Sequence, residues 1–336
     1  MKDCSKEPRK AEVSPTYEQL AQFWGMEGVY RLISRELLGS GGGFQREVFH
    51  YLLNSPGKGL RPLLVLMCAG FGNSGADVKS LAAAMEMLHL ATLVHDDIVD
   101  GADKRRGKDS INALWGDGAA VITGDMLFGR SLKLVERYGN KAVKVYAEII
   151  EQMVSGEFEQ MEAAFDYSLS EASYLNIAGK KTAYFFSQCC GLGAWAAGVC
   201  PDQVEILERY GFLLGLAFQI QDDILDWFSS EGELGKPVGQ DLCRCIITLP
   251  LIKALRLSEE REKIIKIIDK REFKGEEINF IRHKIIRCGA LSLSLKTAAQ
   301  YFKRAVGVLS ALPAVEAKDH LKYVVKGVQK LTEVQK

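Results

Sequence analysis

The chain has 336 residues, with 43 basic and 43 acidic side chains and a formal net charge of zero. Hydrophobic residues make up 47% and charged residues 26%, which excludes a chain disordered throughout. There is no basic surplus to neutralise phosphates, so a general nucleic-acid binder is excluded as well.

The N-terminal stretch MKDCSKEPRKAEVSPTYEQL has no apolar run and does not read as a secretory signal. Residues 1–16 are charged and patternless, and are expected to be disordered. No proline occurs between Pro62 and Pro201. Over that stretch apolar residues recur at helical spacing, as in Leu81, Met85, Leu88 and Ala91, then Phe128, Leu132 and Val135. Val204 to Phe228 repeats the pattern, as do Lys263 to Ile286 and the tail with Leu321, Val324, Val328 and Leu331. There is no sustained period-2 alternation. The reading is all-α, with residues 17–336 as one domain of long helices. Breaks are expected at 39–43, 55–59, 101–109, 116–118, 229–239 and 271–275. No apolar run reaches the roughly 18–20 residues of a membrane span. Eight scattered cysteines make no disulfide framework, and a reducing, cytoplasmic setting is expected. Cys243 and Cys245 lack a second pair at zinc spacing and read as plain cysteines.

The motif Asp-Asp-x-x-Asp occurs twice, as Asp96, Asp97, Asp100 and as Asp222, Asp223, Asp226. Each copy closes a strongly apolar helical stretch. Asp96 and Asp100 share a helix face, as do Asp222 and Asp226. Like charges so spaced destabilise a helix, and anions near its C-terminus oppose the macrodipole. A hard divalent cation removes that cost. Mg2+ takes one or two carboxylates plus phosphates and water, so two such clusters can hold a diphosphate between bridging metals. A single copy is more simply a solvated acidic face; two copies, each directly preceded by apolar residues, are not. The EF-hand pattern of alternating oxygens around a glycine is absent. Basic groups accompany the motifs: Arg105 and Arg106 after the first, Lys58 and Arg61 in SPGKGLRP, and Lys181, Thr182 and Lys236 further on. Arginine offers phosphate a rigid fork. No Walker loop occurs.

Taken in order, these residues resemble the trans-isoprenyl (polyprenyl) diphosphate synthase family. The matches are GKGLRP at 57–62, EMLHLATLVHDDIVD at 86–100, RRG at 105–107, GD-x-LF at 124–128, GE-x-x-Q at 156–160, KT at 181–182, FQIQDDILD at 218–226 and GKPVGQDL…TLP from 235 to 250. The resemblance implies helices packed around a deep central cavity, usually in a dimer. It implies head-to-tail condensation of isopentenyl diphosphate with an allylic diphosphate. It makes Asp96, Asp97, Asp100, Asp222 and Asp223 ligands of about three Mg2+ ions, with Asp226 completing the second motif. It places Arg105, Lys181 and Lys236 on the allylic diphosphate, and Lys58, Arg61, His89 and Arg106 on isopentenyl diphosphate. Thr182, Phe218 and Gln219 match positions near the reacting carbons. His95 stays open between a ligand contact and a packing residue. The chain departs from the family at Gly59, Cys245 and Ile246, where a basic residue, glycine and lysine are common.

The product is expected to descend the helix from Asp96 past Thr92, Ala91 and Leu88. Small Ala91 leaves that path open, which resembles the long-chain members that make quinone side-chain precursors. The alternatives are a short-chain synthase, a catalytic subunit needing a small partner subunit, a terpene cyclase and a non-catalytic regulatory subunit. The two intact aspartate motifs together with Lys58 and Arg61 weigh against the last two. No nucleic-acid partner is expected, and product release to a membrane fits the chemistry.

Overall fold

Thr16 caps the first helix, α1 (Tyr17–Phe23), with a capping box: its hydroxyl accepts from the Gln19 N–H, and the Gln19 side chain accepts from the Thr16 N–H. Reciprocal capping thus fixes the chain at Thr16, which lies within the segment expected to be disordered. The structure is a computed structural model that describes residues 15–39, 41–54, 57–73, 75–228, 239–271 and 273–333, with side chains described to Gln329. Residues 1–14 lie outside the described residues.

Nearly every described element is helical, as the spacing predicts. After α1 come α2 (Met26–Leu38), α3 (Gly43–Leu53), α4 (Leu60–Ala69), α5 (Lys79–Val99), α6 (Ile111–Glu136), α7 (Asn140–Glu162), α8 (Glu171–Ala178), α9 (Tyr184–Ala196) and α10 (Pro201–Phe228). Shorter helices follow, ending with Ala290–Val308 and Glu316–Glu333. α6 lies along α5, α4 joins α5 to α9, and α10 packs between α9 and the helix Ala290–Val308. α5 is buried almost all round from Ser80 to Leu88, so it runs through the core instead of lying on it. Fully burying each of its leucines contributes about 1.5–3 kcal/mol. The expected break at 116–118 is a kink: Gly116 sits at φ 81, ψ 164 within α6.

Two details position the chemistry. α5 ends in a Schellman turn, with the Ala102 N–H on the Asp97 carbonyl at 2.8 Å and the Gly101 N–H on the Ile98 carbonyl at 3.1 Å. Gly101 takes φ +58, which stops the helix directly after the first aspartate motif. A two-stranded hairpin then pairs Lys104 with Asp109 and Arg105 with Lys108. Its turn residues, Arg106 and Gly107, both have positive φ, as a type I′ turn requires. Helical spacing gives no sign of this hairpin, because two residues per strand are too few to alternate.

Candidate active site

In the first cluster the middle aspartate turns inward. Asp97 is 4% exposed. Arg105 Nε donates to both its oxygens, at 2.7 and 2.9 Å, and Nη2 lies 2.7 Å from Oδ1. The hairpin thus folds Arg105 back onto the helix it has just left. Asp100 faces another way and pairs with Arg244 at 2.7 Å. Asp96 is pushed up to about 6, first by burial and then by Glu157 and Asp100, against the pull of Lys181 and Arg105. It is a carboxylate short of positive charge.

The second cluster repeats the division with other partners. Asp223 is 4% exposed. It accepts the Tyr174 hydroxyl at 2.5 Å and Gln219 Nε2 at 2.8 Å. Gln219 in turn accepts the Thr182 hydroxyl at 2.6 Å, so three expected site residues form one chain of hydrogen bonds. Burial first, with Asp222 and Asp226 adding, pushes Asp223 up to about 7. Asp222 is exposed. Asp226 accepts the backbone N–H groups of Gln240 and Asp241, each at 3.2 Å. Asp241 is a fourth acid here: burial, Asp226, Asp223 and Asp222 all raise it.

The lysine-threonine pair sits on a π turn, Gly179–Ala183, between α8 and α9. The widened turn fans its side chains apart. Lys181 Nζ lies 2.5 Å from Glu157, Lys180 pairs with Glu159, and Thr182 reaches Gln219. A Cβ on Gly156 would stand 2.7 Å from Lys181 Cγ, so the glycine of GE-x-x-Q lets α7 approach this turn.

Arg61, His89 and Arg106 gather beside buried Glu86. The Arg61 guanidinium lies over Phe185 and Phe186, at 4.9 and 5.0 Å from the ring centres. Arg61 Nε and Glu86 Oε2 are buried with no hydrogen-bond partner among the described residues. His89 is held well below its ordinary pKa by burial and then by Arg61, Arg106 and Arg105, so its imidazole is neutral. Lys58 is lowered by burial and pulled back by Asp222. Phe218 packs on Phe186, with ring centres 5.4 Å apart. Gly59 explains its own departure: it takes φ +63, and a Cβ there would stand 2.2 Å from the Tyr30 hydroxyl. Cys245 takes φ 62, a conformation that suits the glycine common at that position.

Lys236 lies outside the described residues. His95 packs on Phe128 at 5.6 Å, and its Nε2 lies 3.2 Å from the Val121 carbonyl, which reads as a contact between α5 and α6. Ala91 and Leu88 have no exposed surface, whereas Thr92 is half-buried and its hydroxyl donates to the His89 carbonyl at 2.9 Å. The small Ala91 side chain is thus enclosed by its neighbours. Tyr174, Glu86, Glu157, Asp241 and Arg244 join the site without having been singled out from the sequence. Glu86, Glu157 and Asp241 lie inside matched motifs and were within reach. Tyr174 and Arg244 carry no local signal.

A family model described as polyprenyl synthetase matches residues 44–285. The chain is 38% identical over 274 residues to heptaprenyl diphosphate synthase component 2 of Geobacillus stearothermophilus, covering 81% of this chain and 85% of that protein. It is 32% identical over 270 residues to octaprenyl diphosphate synthase of Escherichia coli, covering 79% and 83%. A crystal structure of polyprenyl synthase from Caulobacter crescentus, complexed with calcium and isoprenyl diphosphate, superposes with a TM-score of 0.88 at 36% identity, covering 96% of this chain and 99% of that one.

Proposed function

Since this chain belongs to the polyprenyl synthetase family, we propose that it is a trans-polyprenyl diphosphate synthase, a prenyltransferase joining isopentenyl diphosphate head to tail with an allylic diphosphate, and that its two aspartate clusters hold the allylic diphosphate through Mg2+. The observation that carries this is the division repeated in both clusters. In each, the middle aspartate is buried and tied into the protein, while its two neighbours keep part of their surface exposed. Partly exposed carboxylates in each cluster, with no further side-chain ligands among the described residues, fit Mg2+, which fills most of its shell with phosphate oxygens and water. Asp96, at about 6, and Asp223, at about 7, are raised first by burial and then by like charges beside them, so a cation lowers the energy of both clusters. Bound metal neutralises charge on the departing diphosphate.

The side chains of this chain supply the rest. Lys181 and Arg105 flank the first cluster, where charge develops on the leaving diphosphate. Lys58, Arg61, Arg106 and neutral His89 bind isopentenyl diphosphate. The Thr182–Gln219–Asp223 chain fixes the wall beside the reacting carbons. The double bond of isopentenyl diphosphate attacks the allylic cation, and a proton then leaves for the released diphosphate. The test is incubation of the purified chain with labelled isopentenyl diphosphate and farnesyl diphosphate, in Mg2+ or in EDTA, followed by chromatography. A ladder of long products in Mg2+ and none in EDTA is expected; turnover in EDTA removes the metal reading.

The product is a long chain, as in relatives named for heptaprenyl and octaprenyl products. Its path runs along α5 past half-buried Thr92, with Ala91 and Leu88 behind. Thr92→Phe should shorten products to farnesyl or geranylgeranyl length at similar total turnover. Ala91→Phe should also shorten them, at a packing cost of about 1–3 kcal/mol. Wild-type product from Thr92→Phe would move the path to another face.

The active form is a homodimer. Apolar side chains stay exposed in helical stripes on α6 (Val121, Ile122, Leu132) and α7 (Val154, Phe158, Met161), which supports a second copy covering this face. Light scattering of the purified chain tests it; a monomer that gains activity only with a small subunit would favour the heteromer suggested by the "component 2" relative. The cysteines among the described residues are unpaired, which supports a cytoplasmic setting with product passed to a membrane; no helix among those residues is long and apolar enough to cross one.

A further inference from the structure

One short segment ties the two aspartate clusters together. It starts on the second. The Asp226 carbonyl accepts the Gly239 N–H at 2.9 Å, and the Asp226 carboxylate accepts those of Gln240 and Asp241 at 3.2 Å. Gln240–Cys243 then make a single helical turn, about 6 Å long. Arg244 follows as its C-cap, with its N–H shared between the Gln240 and Asp241 carbonyls at 3.1 Å. The left-handed residue after it, Cys245, reverses the chain: its N–H returns to the Leu242 carbonyl at 2.8 Å, and that of Ile246 to the Asp241 carbonyl at 2.9 Å. The result aims the Arg244 side chain away from its own anchor and across to the first cluster, where Nη1 stands 2.7 Å from Asp100 Oδ2.

Fold stability does not account for this. The Arg244 and Asp100 side chains are 25% and 24% exposed, and an ion pair so open to water adds little. A non-glycine residue in the left-handed region costs at least as much as such a pair returns. What the arrangement does achieve is to carry a guanidinium on the backbone of one cluster and present it at the carboxylates of the other. The contact to Asp100 uses one of its nitrogens. The remaining N–H groups of the fork suit the oxygens of a phosphate.

We propose that Arg244 is a further binding residue of the allylic diphosphate site, set on the segment that joins the two aspartate clusters so that its fork holds Asp100 and the diphosphate together. The proposal rests on the reading that a metal-held diphosphate lies between those clusters. It adds a cation to the Lys181 and Arg105 side of the site.

Calorimetric titration with inorganic pyrophosphate in Mg2+ tests it without turnover. Arg244→Gln should weaken pyrophosphate binding about tenfold, the loss expected when one charge-assisted contact becomes neutral. Arg244→Lys, which keeps the charge and loses the fork, should fall between the variant and the wild type. In steady-state assays Arg244→Gln should raise KM for the allylic diphosphate and leave KM for isopentenyl diphosphate unchanged. Pyrophosphate binding by Arg244→Gln as tight as the wild type, or tighter, would overturn the proposal and leave Arg244 a clamp on Asp100. An equal rise in both KM values would overturn it too. Wild-type chain that binds no pyrophosphate in Mg2+ overturns instead the diphosphate reading beneath it.

Discussion

The two aspartate clusters share one spacing and are held in opposite ways. In the first, arginines compensate the inward and outer carboxylates: Arg105 on Asp97 and Arg244 on Asp100. In the second, neutral donors do the same work: Tyr174 and Gln219 on Asp223, and backbone N–H groups on Asp226. A repeated motif therefore does not imply a repeated environment. Neutral donors orient a carboxylate without supplying a full positive charge; they pull Asp223 down, but burial first, with Asp222 and Asp226 adding, still raises it to about 7.

The comparison can be broken most forcefully at the outward residues. Asp96→Ala and Asp222→Ala should each lower turnover on the order of 10²–10³-fold, the scale of losing one group that stabilises transition-state charge. Measured kcat values differing by more than that range between the two would show that one cluster works alone. The inward residues should separate the clusters by stability. Asp97→Asn leaves the Arg105 guanidinium without its counter-charge and should cost about 3 kcal/mol. Asp223→Asn keeps an oxygen for the Tyr174 hydroxyl, and a turned Gln219 amide accepts from the new N–H while donating to the Thr182 hydroxyl, so it should cost about 1 kcal/mol. Urea unfolding of the two variants reads the difference directly, and equal losses would mean that charge does not distinguish the sites.

A smaller effect follows from pH. Both raised carboxyls bind a proton in the folded state at pH values where the unfolded chain has released it. Metal-free stability should therefore fall as pH rises from about 4 to about 7, by at most about 1.4 kcal/mol per unit for each group. Asp96→Asn should flatten the lower part of that slope, and Asp223→Asn the part that extends to about 7. Thermal melts in EDTA across this range test the assignment; slopes unchanged by either variant would place the titrating groups elsewhere. Smallest of all, Cys245→Gly should stabilise the metal-free chain by up to about 1 kcal/mol, since it relieves a left-handed non-glycine beside the Arg244 contact. No change in the melting temperature would mean that the turn is unstrained.

Helix periodicity made the scaffold legible, because α5 and α10 are long and have no internal proline. The aspartates were legible for the same reason: four-residue spacing on a helix is geometry. What remained hidden depends on distance in sequence. Tyr174 meets Asp223 across 49 residues, and Arg244 meets Asp100 only because a turn reverses at Cys245. Lys180 and Lys181 look like a solvated basic pair until the π turn sends each to a different glutamate. Small size at Ala91 is compatible with a product path and equally with close helix packing, so the sequence alone does not separate the two; the residue is fully buried.

The hairpin after α5 sets a length scale for the whole reaction. Arg105 is bound to the first aspartate cluster, and its neighbour Arg106 lies against Gly57, with Glu86 and Tyr30 among its charged and polar surroundings. On the proposed assignment these two consecutive residues serve the two different substrates. Their Cα atoms are about 3.8 Å apart across one trans peptide, a covalent constant. The contacts proposed for the two substrates therefore start from one peptide unit. A shift of the hairpin relative to the helices around it moves the roots of both side chains together, so the two sites are displaced in the same sense and not independently.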